Sequence, residues 1–407
     1  MFNFILTGKR WLFISVLLII TMVTAAVPAL AVEKQATLAA PWATPVVVDS
    51  LGGGSSLSIV IDGNNRPHIS YLGFKTDAGN SPFGLKYARW NGSEWVIRFI
   101  DVTGVTEDKE TSIALDSQGN PHISYYNFGT RDLKYAHFDE GTQAWVTEVV
   151  DGVGDVGETN SLRLDSNDLP RIAYWDATEE NQRVRYARFN GTKWVFSTVE
   201  DLTCASPLEK RVSLALDSKD RPHVSYHDCA LPTKLKYAVQ VSGTWTAEVV
   251  EEGNNSGLCS SIEVDNQDRP HISYRSGNTA GGLMYANFNG TDWLYSPRID
   301  NDFLWGKSTS LELDHQYRPR IAYTFWPPDR PDFTREFRFA YLAGGQRTTE
   351  FIDSADPASV KAQIAMAIDG DGYYHVAYWD DITDQLKYNK REPLVEDLFV
   401  FLPLLKK

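Results

Sequence analysis

Five of the eight histidines fall in one recurring phrase. "RPHISY" begins at Arg66, and variants of it begin at Asn120, Leu169, Arg221, Arg269, Arg318 and Tyr373. His68, His122, His223, His271 and His375 take its third position, and Arg171 and Arg320 replace histidine in the other two copies. Imidazole is a common metal ligand and a frequent general base. A metal, however, needs several side chains converging at about 2 Å from one ion. The third positions are separated by 54, 49, 52, 48, 49 and 55 residues, so each sits in its own structural unit. Packed sheets stand about 10 Å apart, too far for these side chains to share an ion. Arginine shares with histidine the capacity to donate hydrogen bonds. The expected role is therefore structural. Each side chain should tie down the adjoining hairpin through Asp62, Asp116, Asp165, Asp217, Asp265, Asp314 or Asp369.

The phrase belongs to a longer repeat, as in "TSIALDSQGNPHISYYNFGTRDLKYAHFDEGTQAWVTEVVD" from Thr111 to Asp151. A full copy carries four short runs: "SLxLD", "HISY", "LKYA" and a run from Trp to "VVD". Such runs, rich in Ile, Val, Tyr and Trp and bounded by Asp, Gly, Asn and Pro, are strand material. Apolar positions alternate and do not recur at helical spacing. Asn91-Gly92, Asn190-Gly191 and Asn289-Gly290 are expected to form tight type I′ hairpins between the third and fourth runs. Four strands in each of seven units predict an all-β fold, a seven-bladed β-propeller over residues 41–391. The seventh copy lacks its fourth run, and "PWATPVVVD", from Pro41 to Asp49, matches it. Residues 41–50 are therefore expected to complete blade seven. Closure of this kind removes two open sheet edges.

The chain has 407 residues and a formal net charge of −14, with no basic run or stripe. Nucleic acid and anionic membranes are unexpected partners. At the N-terminus, Lys9-Arg10 precedes an apolar stretch that ends in "ALA" before Val32. This reads as a signal peptide over residues 1–31, cleaved after Ala31, with 32–40 as a linker. An uncleaved anchor is the alternative, because the apolar run is nearly long enough to span. The mature chain is expected to be secreted or at the cell surface, to be a monomer and to have no membrane span. Residues 392–407 form a tail, either packed along the ring or used for sorting.

The four-strand unit, the third hairpin followed by Trp and the leader resemble bacterial secreted propellers with sialidase-like, BNR-type repeats. The resemblance implies a propeller scaffold and glycan-related chemistry. The Asp box of those repeats, S-x-D-x-G-x-x-W, is absent: the hairpins read "NGSEW", "NGTKW" and "NGTDW". Sialidases also use three arginines and a Tyr–Glu nucleophile pair, and no position here matches them.

In a four-stranded blade, the long connections share one face and the tight hairpins the other. Binding usually resides on variable loops over a rigid scaffold. Several copies place an aromatic or polar pair directly after the second run: Tyr126-Asn127, Trp175-Asp176, His227-Asp228 and Trp379-Asp380. Trp305 and Trp326 come from the connections of blade six. Flat rings beside acids suit sugar rings or peptide side chains. The same rings would equally cap the blade ends. Glu110, Glu158, Arg211 and Lys307 begin first strands and would line the channel mouth. A non-enzymatic module binding carbohydrate or extracellular protein is expected. The alternatives are a glycoside hydrolase using acids such as Asp176, Asp228 and Asp380, or a structural cell-surface scaffold.

Three cysteines leave one unpaired in any single disulfide, and Cys204–Cys229 is favoured over pairs with Cys259. Asn91, Asn190, Asn254 and Asn289 fit the glycosylation pattern, but turn chemistry explains three of them. "DGDG" at Asp369 lacks the rest of a calcium loop and reads as a turn. No metal or cofactor motif is present.

Overall fold

Alternating short strands with both faces covered must stack on one another, and they do so as a ring. The computed structural model describes residues 42–394 except 53, 55, 79–80, 105–109, 179–181, 204–210, 254–255, 278–281, 301–307, 326–334, 344–345, 356–362 and 381. The stretches expected to be a leader and a linker, and most of the C-terminal tail, lie outside these residues. Seven four-stranded antiparallel sheets follow one another, and the first strands of successive blades lie side by side around the axis. Blade one comprises Leu57–Ile61, Pro67–Phe74, Phe83–Trp90 and Trp95–Val102. Blade seven comprises Ile364–Ile368, Tyr374–Asp380, Gln385–Arg391 and, as its outermost strand, Val46–Asp49. The register Val46↔Tyr388 and Val47↔Lys387 closes the ring as the sequence predicts.

The core is divided among the junctions. Seven clusters of buried side chains each draw on two adjacent blades, the closing one joining Val48, Tyr71, Trp379 and Leu386. Within five of these clusters, the tryptophan of a fourth strand meets edge-on the third-strand tyrosine of the preceding blade. Tyr87–Trp145, Tyr135–Trp194, Tyr186–Trp245, Tyr237–Trp293 and Tyr388–Trp95 have centroids 5.1–5.5 Å apart.

A polar bridge also crosses the junctions. The acid ending one blade accepts from the tyrosine of the next blade's second strand and faces a cation of its third. Asp49 takes Tyr71 at 2.6 Å and Lys86; Asp101 takes Tyr125 at 2.6 Å and Lys134. Asp151 takes Tyr174 at 2.7 Å and Arg185 at 2.6 Å; Glu200 takes Tyr226 at 2.6 Å and Lys236. Asp300 takes Tyr323 at 2.7 Å and Arg338 at 3.1 Å; Asp353 takes Tyr378 at 2.8 Å and Lys387 at 3.6 Å.

The Asn-Gly hairpins differ from the type I′ expectation. Asn91 accepts from the backbone of Ser93 at 2.8 Å and Glu94 at 2.9 Å, and only Gly92 has positive φ. The asparagine side chain closes a longer loop, so its backbone need not become left-handed. Two successive positive φ values occur instead at Ser242-Gly243, between paired Val241 and Thr244.

Candidate functional site

The repeated histidines are held in place by their own blades. His375 Nε2 lies 2.9 Å from Asp369, and its Nδ1 lies 2.6 Å from the Tyr388 hydroxyl. His223 repeats this with Asp217 at 3.2 Å and Tyr237 at 2.6 Å; His68, His122 and His271 show the same arrangement. Burial pushes all five pKa values down, with the aspartate opposing it; His375 falls to about 4. Arg171 and Arg320 reach the same acid, Asp165 and Asp314, with Arg320 at 2.6 Å. The aspartate also accepts from the turn backbone, as Asp369 does from Asp371 at 3.0 Å and Tyr373 at 2.8 Å. These are hairpin clamps, as the His/Arg exchange suggested, and "DGDG" is one of those turns.

The aromatic–acid pairs lie inside second strands, not in the loops after them: Pro170–Asp176, Pro222–Asp228 and Tyr374–Asp380 run through them. Trp175 is 0% exposed, and its indole donates to Gln182 at 2.7 Å. Trp379 is 1% exposed under Gly54 and donates to Asp384 at 3.2 Å. Tyr126 donates to Asp155 at 2.8 Å, and His227 Nδ1 lies 2.9 Å from the Ser256 carbonyl. Asp176 pairs with Arg183 at 3.0 Å, Asp380 with Lys387 at 2.6 Å, and Asp228 lies 4.0 Å from Lys236. In this arrangement the rings present no stacking face, and the three acids stand apart in separate blades. Trp305, Trp326, Lys307 and Asn254 lie outside the described residues. Cys229 is disulfide-bonded and Cys259 remains a buried thiol; Cys204 also lies outside the described residues.

The axis offers a different site. A cavity of about 470 Å³ is lined by the seven first strands. Two positions of "SLxLD" face it. The serine supplies one ring: Ser58, Ser112, Ser161, Ser213, Ser261 and Ser310, with Ala365 in blade seven. Each hydroxyl accepts the backbone N–H of the residue directly after the next blade's equivalent position, at 3.0–3.4 Å. It thereby joins neighbouring blades while keeping a proton to donate. The position marked x supplies Arg163, Glu263 and Glu312 among small residues. Arg163 Nη2 lies 2.8 Å from Glu263. Loss of water raises the pKa of both carboxyls, and the charge of Glu263 raises Glu312 further, against the pull of Arg163. At the other end, Glu110 and Arg211, expected from the sequence to line the channel mouth, do line it and also pair with each other. Sequence reasoning passed over the x position; its signal was a charge in three copies where the others carry Ala or Val.

No protein-family model matches the chain, and no curated protein matches it in sequence. Solved structures do match in shape. A polysaccharide lyase, an ulvan lyase bound to -[GlcA(1-4)Rha3S]-, aligns over 90% of this chain and 98% of its own, with TM-score 0.57 and 13% identity. A mutant of AofleA from Arthrobotrys oligospora aligns over 76% and 89%, with TM-score 0.50 and 12% identity. A protein of unknown function from Dyadobacter fermentans aligns over 88% and 100%, with TM-score 0.50 and 9% identity. At such identities the likeness carries the fold alone: the chain is a seven-bladed β-propeller that a polysaccharide lyase matches along nearly its whole length.

Proposed function

We propose that the protein is an exported, non-catalytic binding propeller that receives a carbohydrate at the axial channel from the face of the long connections. The observation that carries this reading is the channel itself. Its volume lies within the usual range of ligand pockets, about 300–1,000 Å³. Its lining of hydroxyls, Asn160, Gln363 and charges of both signs matches a ligand rich in donors and acceptors. Among the described residues no aromatic ring lines it, so stacking would fall to Trp305 and Trp326 of blade six. A glycan array with the full chain, followed by titration of the best ligand, tests the proposal. Arg211→Ala and Trp305→Ala should each weaken binding at least about tenfold while thermal stability holds. Absence of any retained glycan, or unchanged affinity in both variants, would overturn it.

One observation favours a second reading. Glycoside hydrolysis needs two carboxyls, one of them protonated near neutral pH. Glu263 and Glu312, raised in the channel, supply such a pair better than Asp176, Asp228 or Asp380, which face cations in separate blades. Release of reducing sugar by the wild type and its loss in Glu312→Gln would replace the binding reading with this one.

A further inference from the structure

The junction between blades four and five breaks the rule kept at the other six. Glu251 stands in the register of the junction acid, opposite Leu235, as Asp151 stands opposite Leu133. Tyr274 stands in the register of the junction tyrosine. Its partner on the third strand is Met284, where Tyr71 meets Lys86 and Tyr226 meets Lys236. Tyr274 is 0% exposed, and its hydroxyl makes no hydrogen bond of good geometry, although it lies near enough to the Glu251 carboxylate to interact with it. Burial raises the pKa of that hydroxyl and the nearby charge of Glu251 raises it further, yet Glu251 Oε2 is itself buried and unpartnered. Among the described residues no cation pairs with Glu251. Arg275 follows Tyr274 in the strand, so alternation sends it to the opposite face of the blade.

Two oxygens, one on an acid, therefore border the place where six sibling junctions hold an ammonium or guanidinium nitrogen. An anion would be repelled by Glu251. A divalent ion asks for more carboxylates and more oxygens than one acid and one phenol provide. Water would satisfy the hydrogen bonds but leave the charge uncompensated. We propose that this junction binds a small monovalent cation from solution, ammonium or an alkali ion, between Glu251 and Tyr274 in place of the missing lysine.

A ligand that binds only the folded state raises the melting temperature with its concentration. The full chain should be melted in ammonium, potassium, sodium and choline chlorides at equal ionic strength and pH. Choline carries the same charge on a bulkier ammonium that has no N–H to donate. The wild type should melt a few degrees higher in at least one small cation than in choline, with a saturating dose response. Met284→Lys should abolish that difference and melt above the wild type in choline. Glu251→Gln should abolish it as well, which serves as the test if Met284→Lys does not fold. Equal melting in all four salts would overturn the proposal. So would a small-cation effect that survives Glu251→Gln, because the ion would then sit elsewhere.

Discussion

Asp49 is the residue by which the ring is latched, and its removal should cost far more than the loss of one side chain on a short strand suggests. It lies in the outermost strand of blade seven, is 4% exposed, and accepts from Tyr71 at 2.6 Å and from Lys86. Lys86 is 1% exposed, and its other acceptor is the Phe74 carbonyl at 2.9 Å. Asp49→Ala leaves an ammonium buried without a counter-charge, a change worth about 3–5 kcal/mol. Tyr71→Phe removes one hydrogen bond to a charged acceptor and should cost about 1.5–3 kcal/mol. The double variant Asp49→Leu/Lys86→Met removes both charges together and should be more stable than Asp49→Ala alone, because no charge is left orphaned. Urea unfolding of the four members of the Asp49→Leu, Lys86→Met cycle measures the coupling, expected at about 2 kcal/mol or more. Salt should change it little, since the pair is shielded from solvent. By contrast, the Arg131–Asp155 pair is 4.0 Å long with arginine 67% exposed, and should contribute nothing measurable. A cost below about 1 kcal/mol for Asp49→Ala, or additive single variants, would refute the assignment of Asp49 as the latch.

Other outcomes follow from the same structure. Deleting residues 42–49 removes the latch and the buried Val48 together, and should lower stability by at least about 5 kcal/mol; an unchanged melting curve would exclude closure by this strand. Trp175→Ala should destabilise by about 3–5 kcal/mol through an unfilled cavity, read by chemical denaturation, whether or not any ligand is bound. Stability should also fall as pH drops from about 6.5 to about 4. His375 has a folded pKa of about 4, so the unfolded chain takes up its proton first. This costs about 3 kcal/mol by pH 4 and nothing further below it. His375→Arg, copying Arg171 and Arg320, should flatten that part of the profile without loss of fold at pH 7.

The architecture was legible because it is written seven times. A histidine that exchanges with arginine at a fixed place in a repeat has to serve something both can do, and donating to the turn aspartate is that task. Closure was legible for a related reason: the tryptophan-led run missing from the last copy stood at the front of the chain. The tyrosine–acid–cation bridge was not legible, although all three members recur in "HISY", "VVD" and "LKYA". They belong to two blades and meet only when the sheets stack, and no spacing within one copy reveals that. Trp175 and Trp379 lie within strands and not in the loops after them, for a physical reason. Where neighbouring blades cover both faces of a sheet, apolar residues at a strand end look the same whether they cap it or reach beyond it. The strands run two residues further than the repeated phrase and bury both rings.

Repetition also decides where function is to be sought. Residues that recur in every blade answer to demands every blade shares: turn clamping, junction bridging and ring closure. Such residues cannot distinguish one ligand from another, because the same chemistry pointing seven ways from the axis has no preferred partner. Selectivity must come from positions where the copies disagree. Within the described residues two such places combine disagreement with polar chemistry. One is the channel, where three copies replace a small residue with Arg163, Glu263 and Glu312. The other is the junction where Met284 replaces a cation and leaves Tyr274 and Glu251 unsatisfied. The first faces open space on the axis and is suited to a ligand of some size. The second lies between two blades, where its siblings hold a single side-chain nitrogen. Substituting the channel residues should therefore alter what the protein binds, whereas filling the junction with lysine should alter only how the fold depends on its salt.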